Sequence, residues 1–157
     1  MSTELRPQLQ GMSLFAEFTP DELDGFVDLV ETVTAPSGNC IVKQDEKGDC
    51  MFVLVEGSAS VSHSRDGKKF ELAVLKPGDF FGEIALVDEG PRSADVEAID
   101  DCTLLKVEHA ALRAVAGVYP GAAFKLLLAV GRTMVARMRR SNLKYIDTIF
   151  AAAAGKD

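Results

Sequence analysis

Apolar residues along this chain follow two different periods, and the change of period divides it into three parts. Leu23, Phe26, Val27 and Val30 fall on one face at helical spacing. Thr19-Pro20-Asp21-Glu22 heads that stretch and reads as a capping box with proline at the first helical position. Leu14, Phe15 and Phe18 precede the cap, where one of them can pack back as a hydrophobic staple. From Pro36-Ser37-Gly38 onward the helical period gives way to short apolar or alternating runs with turn residues between them. Residues 40–42, 51–55, 59–63, 70–74, 94–99 and 102–107 read as strands. Arg65-Asp66-Gly67-Lys68 reads as a tight hairpin turn, because Asp-Gly accepts positive φ angles, and Lys76-Pro77-Gly78-Asp79 turns again. Many short strands about 8–12 residues apart predict an antiparallel sandwich, roll or barrel.

Helical spacing resumes at His109, breaks at Tyr119-Pro120-Gly121 and then continues to about Ala154. The pattern predicts an α+β fold in one domain, residues 1–157. An N-terminal helical segment covers 1–35, a β-roll 36–107 and C-terminal helices 108–154. In the last helix Phe124, Leu128, Gly131, Val135, Met138, Asn142, Tyr145 and Ile149 step alternately by four and three. That is a coiled-coil type of seam with Asn142 as a polar register mark. Two partners fit it: a like helix, giving a homodimer, or the chain's own β-roll.

Composition narrows the class. The hydrophobic fraction of 47% and charged fraction of 26% are ordinary for a globular protein. No apolar run approaches the roughly 18 residues that span a membrane. Met1-Ser2-Thr3-Glu4 does not open a secretory signal. Cys40, Cys50 and Cys102 lack C-x-x-C spacing and read as reduced thiols, which points to a cytoplasmic protein. His63 and His109 carry no ligand pattern and read as surface residues. The net charge of −7 is unevenly spread: residues 121–150 hold six Lys/Arg against one Asp, residues 1–120 ten against twenty-two acids. The basic helix is either a solvated face or a docking element for an acidic partner or for the acidic body itself.

The stretch from Phe81 to Ala94 carries the chemistry. Gly82 lets the backbone approach something closely, and Glu83 follows at once. Ile84-Ala85-Leu86 reads as a buried helical turn whose first amides can receive an anion. Arg92 stands in an otherwise apolar return, followed by Ser93 and Ala94. A guanidinium is planar, always charged and suited to two phosphate oxygens at once. A buried glutamate needs hydroxyl or cation partners. The set therefore describes either a site for a ribose phosphate or a structural Glu83–Arg92 ion pair that closes a loop. A nucleophile with an adjacent base is not visible, and a phosphodiesterase would need metal ligands or a general base near the phosphate. No enzymatic activity and no cofactor are expected.

Gly82-Glu83-Ile84-Ala85-Leu86, four residues, then Pro91-Arg92-Ser93-Ala94 resembles, without a gap, the phosphate-binding cassette of cyclic nucleotide-binding domains. That family includes the regulatory subunits of the cyclic-AMP-dependent kinase, the catabolite activator protein and cyclic-nucleotide-gated channels. The similarity covers almost the whole chain. Leu14-Phe15 with the capped helix, Gly38 through Gly48-Asp49, the run from Leu75 into the cassette, and His109 to Asn142 all have counterparts. The resemblance implies a double-stranded β-roll of jelly-roll type with an N-terminal helix and C-terminal B and C helices. It implies a regulatory sensor for cyclic AMP, with cyclic GMP the other candidate, since guanine-preferring members often have Thr where this chain has Ser93.

By the same resemblance Glu83 accepts from the ribose 2′-hydroxyl and Arg92 pairs with the cyclic phosphate. The amides of Ala85, Ser93 or Ala94 and the Ser93 hydroxyl complete the phosphate cage. Val61 and Leu72 line the base pocket, and Phe81, Gly82 and Ile84 belong to the same site. The C helix forms a lid that meets the purine near Arg137 and Met138, where Arg137 either stacks on the base or is solvated. Two residues depart from the pattern. Asp45 stands where an early turn usually has Gly, and Asp tolerates a left-handed conformation. Asp95 stands where Ser or Thr is common, and alternation from Ala94 turns it outward. The chain stops soon after the lid helix, leaving no room for a helix-turn-helix. A stand-alone module is therefore expected, acting through its C-terminal helix on an effector protein, without sequence-specific DNA binding or membrane attachment. The competing expectation is a structural or interaction domain whose pocket stays empty.

Overall fold

The computed structural model describes residues 2–155. The chain opens with α1 (Ser2–Gln10), a 3₁₀ turn (Ser13–Phe15) and α2 (Pro20–Leu29). Ten short strands follow: β1 (Glu31–Ala35), β2 (Cys40–Val42), β3 (Lys47–Gly48), β4 (Cys50–Glu56), β5 (Ala59–Arg65), β6 (Lys68–Leu75), β7 (Phe80–Phe81), β8 (Gly90–Pro91), β9 (Asp95–Ala98) and β10 (Cys102–Glu108). A second 3₁₀ turn (Glu83–Leu86) lies between β7 and β8. The chain then runs through α3 (His109–Val118) into α4 (Pro120–Ala154). The strands make two four-stranded antiparallel sheets, ordered β1-β10-β4-β7 and β2-β9-β5-β6, and a small β3–β8 pair. The fold is an α+β β-roll with helices before and after it.

β4 shows why one strand is apolar at nearly every position. Met51, Val53 and Val55 face a core shared with the helices, where Phe26, Leu105, Val107, Val115 and Leu126 are buried. Cys50, Phe52 and Leu54 face the core between the two sheets, with Phe81, Val96 and Leu104. A strand covered on both faces has no polar side to alternate with. Each such side chain contributes about 1.5–3 kcal/mol on full burial.

The capping box of α2 forms as its residues imply: the Glu22 amide donates to Thr19 Oγ1 at 3.2 Å, and the Thr19 amide to Glu22 Oε1 at 3.0 Å. Phe18 packs edge-on against Phe26, with centroids 5.9 Å apart. Asp66 and Gly67 both have positive φ, 54° and 70-odd degrees respectively (75° for Gly67), as a tight hairpin turn requires. Asp45 adopts φ 70°, the left-handed conformation expected of it.

Three features differ from the sequence reading. Residues 31–35 belong to the roll and not to a helical segment ending at 35. Glu31-Thr32-Val33-Thr34 is rich in β-branched residues, and β1 pairs with β10 from Glu31↔Lys106 to Ala35↔Cys102. α1 gave no clear sequence signal, since it is mostly polar and holds Pro7. Its anchor is Leu9, fully buried in the helical core. Finally, the seam of α4 is not the face that packs on the roll. Ala122, Ala123, Leu126 and Val130 are the buried positions, whereas Phe124, Val135, Met138, Tyr145 and Ile149 are exposed.

Candidate functional site

The site begins where β4 holds β7. Phe52 pairs with Phe81, and Val53 with Phe80. The chain then turns through Gly82 at φ 75° into the 3₁₀ turn, which sets Glu83 at its first position, 9% exposed. A side chain at Gly82 would meet the left-handed penalty and a second obstacle, since a Cβ there would lie 2.4 Å from Arg92 Nη1. Gly48 bounds the arginine from β3, where a Cβ would lie 2.4 Å from Arg92 Nε. Arg92 is thus laid between two glycine backbones. Its Nη1 donates to the Gly82 carbonyl at 3.4 Å, and Nη2 lies 3.4 Å from Cys50 Sγ. Burial pushes the Cys50 thiol up from its ordinary pKa, and the Arg92 charge beside it pulls the other way.

The backbone of Arg92 is fixed as firmly as its side chain. Its amide donates to the Glu46 carbonyl at 2.7 Å, and its carbonyl accepts from the Asp45 amide at 2.9 Å. The left-handed Asp45 is therefore part of the frame that aims the arginine.

Glu83 and Arg92 do not form the loop-closing ion pair that composition allowed. Glu83 pairs with Arg137 of α4 instead: Arg137 Nη1 donates to Glu83 Oε1 at 3.0 Å. Arg137 Nη2 donates to the Phe80 carbonyl at 3.3 Å, and the guanidinium carbon lies 5.0 Å from the Phe80 ring centroid. Among the described residues Arg92 makes no ion pair at all. One cation is left available inside the site, beside a carboxylate whose charge is already partnered.

A recess of about 290 Å³ brings together Val61, Phe81, Gly82, Glu83, Arg92, Ser93, Ala94 and Arg137. Val42, Ala73, Leu75, Phe80 and Val96 complete its wall. A second recess of about 220 Å³ shares Gly82, Glu83, Arg92 and Ser93 and adds Ile84 and Ala85. Met138 lies with Arg137, Glu83 and Ile84 along the cleft between the cassette and α4. The first volume is near the lower end of small-molecule sites, about 300–1,000 Å³. A cation, a hydroxyl acceptor and an apolar wall in one recess suit an anionic sugar with a flat base.

Leu72 is the exception, 62% exposed and outside the recess. The β5–β6 register shifts, with Val61 opposite Ala73 and Ser62 opposite Glu71, so Leu72 is the extra residue of a bulge. Ala73 and Leu75 line the wall in its place. Regular alternation gives no warning of this, because a bulge reverses the faces beyond it. The Ala85 amide donates to the Gly82 carbonyl at 3.2 Å, closing the 3₁₀ turn, so it is already engaged. Asp95 points away from the recess, where it accepts from the Gln44 amide at 2.7 Å and lies 3.7 Å from Lys69 Nζ.

The two histidines are not plain surface residues. Both are partly buried, and each meets a cassette carbonyl: His63 Nδ1 lies 2.8 Å from Ser93 O, and His109 Nε2 3.2 Å from Ala85 O. Their distance from the cassette in sequence hid this. Gly48 was also missed as a site residue, since a lone glycine before an aspartate reads as a turn.

Comparison with known proteins agrees with this geometry. The chain is 26% identical over 144 residues to the "CRP-like cAMP-activated global transcriptional regulator" of Mycobacterium tuberculosis, covering 91% of this chain and 62% of the relative. It is 36% identical over 92 residues to the cGMP-dependent protein kinase egl-4 of Caenorhabditis briggsae, covering 57% of this chain and 12% of the kinase. The chain thus spans less than two thirds of the length of these curated relatives. The crystal structure of the N-terminal domain of a transcriptional regulator from Streptomyces coelicolor A3(2) superposes with a TM-score of 0.72 at 32% identity, covering 86% of this chain and 92% of that one. The family model of the cyclic nucleotide-binding domain matches residues 32–119, more than half of the chain, and the chain belongs to that family.

Proposed function

We infer that this chain senses cyclic AMP and transmits its binding through α4. The observation that carries the reading is Arg92, partly buried between Gly48 and Gly82 and without an ion-pair partner among the described residues, in the same recess as Glu83. In this reading Arg92 takes the cyclic phosphate, Glu83 the ribose hydroxyl, and Val61, Ala73 and Leu75 the base. Ser93 and the name of the mycobacterial relative support adenine over guanine, while the kinase relative is named for cyclic GMP. Nucleotide-dependent motion belongs to α4, because its residues meet the cassette at Glu83 and Phe80.

The exposed seam of α4 suits a second copy of this chain as partner, with Asn142 setting the register. The chain itself is read as not binding DNA sequence-specifically. Its net charge is −7, and its basic excess lies on one helix. Among the described residues no helix is long and apolar enough to cross a membrane.

Calorimetric titration with cyclic AMP, followed by competition with cyclic GMP, tests the reading. Saturable one-site binding of cyclic AMP, at least as tight as that of cyclic GMP, is expected. A tenfold or greater preference for cyclic GMP reverses the base assignment, and absence of binding by both leaves the empty-pocket alternative.

A further inference from the structure

The cassette returns to the sheet through Arg92-Ser93-Ala94, and this exit is tied to the roll at three successive points. The Arg92 carbonyl accepts from the Asp45 amide at 2.9 Å, and the Asp95 carboxylate accepts from the Gln44 amide at 2.7 Å. Between these two ties lies the Ser93–Ala94 peptide, whose carbonyl accepts from His63 Nδ1 of β5 at 2.8 Å. A carbonyl can only accept, so the imidazole carries a proton on Nδ1. Gln44 braces the strand beside it: its Nε2 donates to the Ser64 carbonyl at 3.0 Å, and its Oε1 accepts from the Ser64 amide at 2.8 Å. Ser93 and Ala94 line the recess of about 290 Å³, and His63 does not. The peptide is trans, so its C=O and N–H point in opposite directions. With the carbonyl held toward His63, the Ala94 amide is turned the other way, and it donates to no protein acceptor among the described residues.

We propose that His63 is a positioning residue for the anion grip: by holding the Ser93 carbonyl outward it aims the Ala94 amide at one exocyclic oxygen of the bound phosphate, so that the site tells the two exocyclic oxygens apart. The inference rests on the reading of the recess as a cyclic-nucleotide site. Arg92 alone does not separate the two oxygens, because a planar guanidinium offers them parallel, equivalent donors. A single fixed amide breaks that equivalence. An amide already held in place also costs no ordering on binding, whereas a peptide free to rock about its flanking bonds must be fixed each time. Among the described residues His63 alone acts on this peptide, and the ties at Arg92 and Asp95 hold its neighbours. The same strand supplies Val61 to the wall of the recess, so the histidine sets the grip at a fixed distance from the surface that receives the base.

The test is calorimetry on the full chain with cyclic AMP and with the two diastereomers of its phosphorothioate, which differ only in which exocyclic oxygen is replaced by sulfur, a weak acceptor. A hydrogen bond to a charged oxygen corresponds to a wild-type preference for one diastereomer of about tenfold or more. His63→Ala is expected to cut that ratio to about threefold or less. His63→Asn, whose amide nitrogen stands about as far along the side chain as Nδ1, is expected to keep most of it. If His63→Ala fails to fold, His63→Leu, which fills the place of the ring without a donor, carries the test. An undiminished ratio in the donor-free variant overturns the proposal, even where all three ligands weaken by a common factor, since that pattern belongs to lost charge or general loosening. An Asn variant whose ratio is no better than that of Ala or Leu overturns it as well, because the hydrogen bond is then not the cause. A wild type that binds cyclic AMP with a diastereomer ratio near one overturns the proposal and leaves the proposed function standing. A wild type that binds no cyclic AMP overturns the proposed function first and this inference as its consequence.

Discussion

The recess has two arginines, and they are held in different ways. Arg92 belongs to the roll. Its backbone is bonded to the Asp45–Glu46 turn and its side chain lies between Gly48 and Gly82. Arg137 belongs to α4 and reaches the cassette only because the first part of that helix is seated in the core at Ala122, Ala123, Leu126 and Val130. In the proposed reading the anion grip is therefore a property of the sheet framework, and the contact at Glu83 a property of where the helix lies. A sensor of that kind uses both, a fixed grip for affinity and a movable contact for output.

The largest effect expected is on the fixed side. Arg92→Ala removes the one cation in the recess without an acidic partner, and truncating one member of a buried charge pair costs roughly 2–5 kcal/mol. Affinity for cyclic AMP should fall about 30- to 4,000-fold. Calorimetry that returns wild-type affinity would dismiss the whole assignment. Gly48→Ala should come next. The new methyl group collides with the arginine side chain, which can shift, so the protein should fold while its grip is misaimed. A loss of about tenfold in affinity with little change in melting temperature is expected, from the lower end of a charged hydrogen bond. A large fall in melting temperature with affinity intact would mean that Gly48 serves the fold alone.

The movable side has its own test at the far end of α4. Beyond Arg137 the helix exposes Met138 (63%), Leu143 (61%), Tyr145 (67%), Ile149 (48%) and Phe150 (71%). Each would gain about 1.5–3 kcal/mol if fully buried, and a like helix offers the same stripe in return. Light scattering should find the full chain larger than a chain ending at Asn142, while both bind cyclic AMP with similar affinity. Equal monomeric masses would leave the seam with another partner. Hydrogen exchange along residues 121–150 should report nucleotide binding in both, and unchanged protection would remove α4 as the responding element.

What the sequence disclosed follows from how local each signal is. The capping box at Thr19, the Asp66-Gly67 turn and the cassette itself are set by residues within a few positions of one another, and each was legible. The placement of Leu72 depended on a bulge in a pairing with β5, and the partnering of Glu83 on a helix 54 residues downstream. β1 was obscured because its pairing partner, β10, lies near the other end of the roll. Gly48 and the two histidines touch the cassette only through the folded chain. The cassette was therefore legible because one segment carries it, and the contacts that support it were not.

The smallest effect expected concerns how the first part of α4 is seated. Lys125 Nζ donates to Glu22 Oε1 at 2.6 Å, linking α4 to the N-terminal turn of α2. That bond, followed by the one from the Thr19 amide, holds the Glu22 carboxyl below its ordinary pKa. A carboxylate whose folded pKa is depressed contributes stability that is fully present above its unfolded value, about 4.3. The contribution is lost as pH falls through the lower folded value. Lys125→Met should therefore be less stable than the wild type at pH 7, by about 0.2–1 kcal/mol for a partly exposed pair. The gap should begin to narrow below about pH 4.3 and close only once pH lies below the lowered folded pKa, where Glu22 is protonated in both proteins. Urea melts at pH 7, 4 and 3 read this directly, and a gap that persists undiminished at pH 3 would assign the loss to packing of the lysine stem. Cyclic AMP affinity at pH 7 should hardly change, because the buried alanines and Leu126 still seat the helix. If affinity instead fell along with stability, the seat of α4 would be part of the nucleotide grip, and the division between a fixed arginine and a movable one would fail.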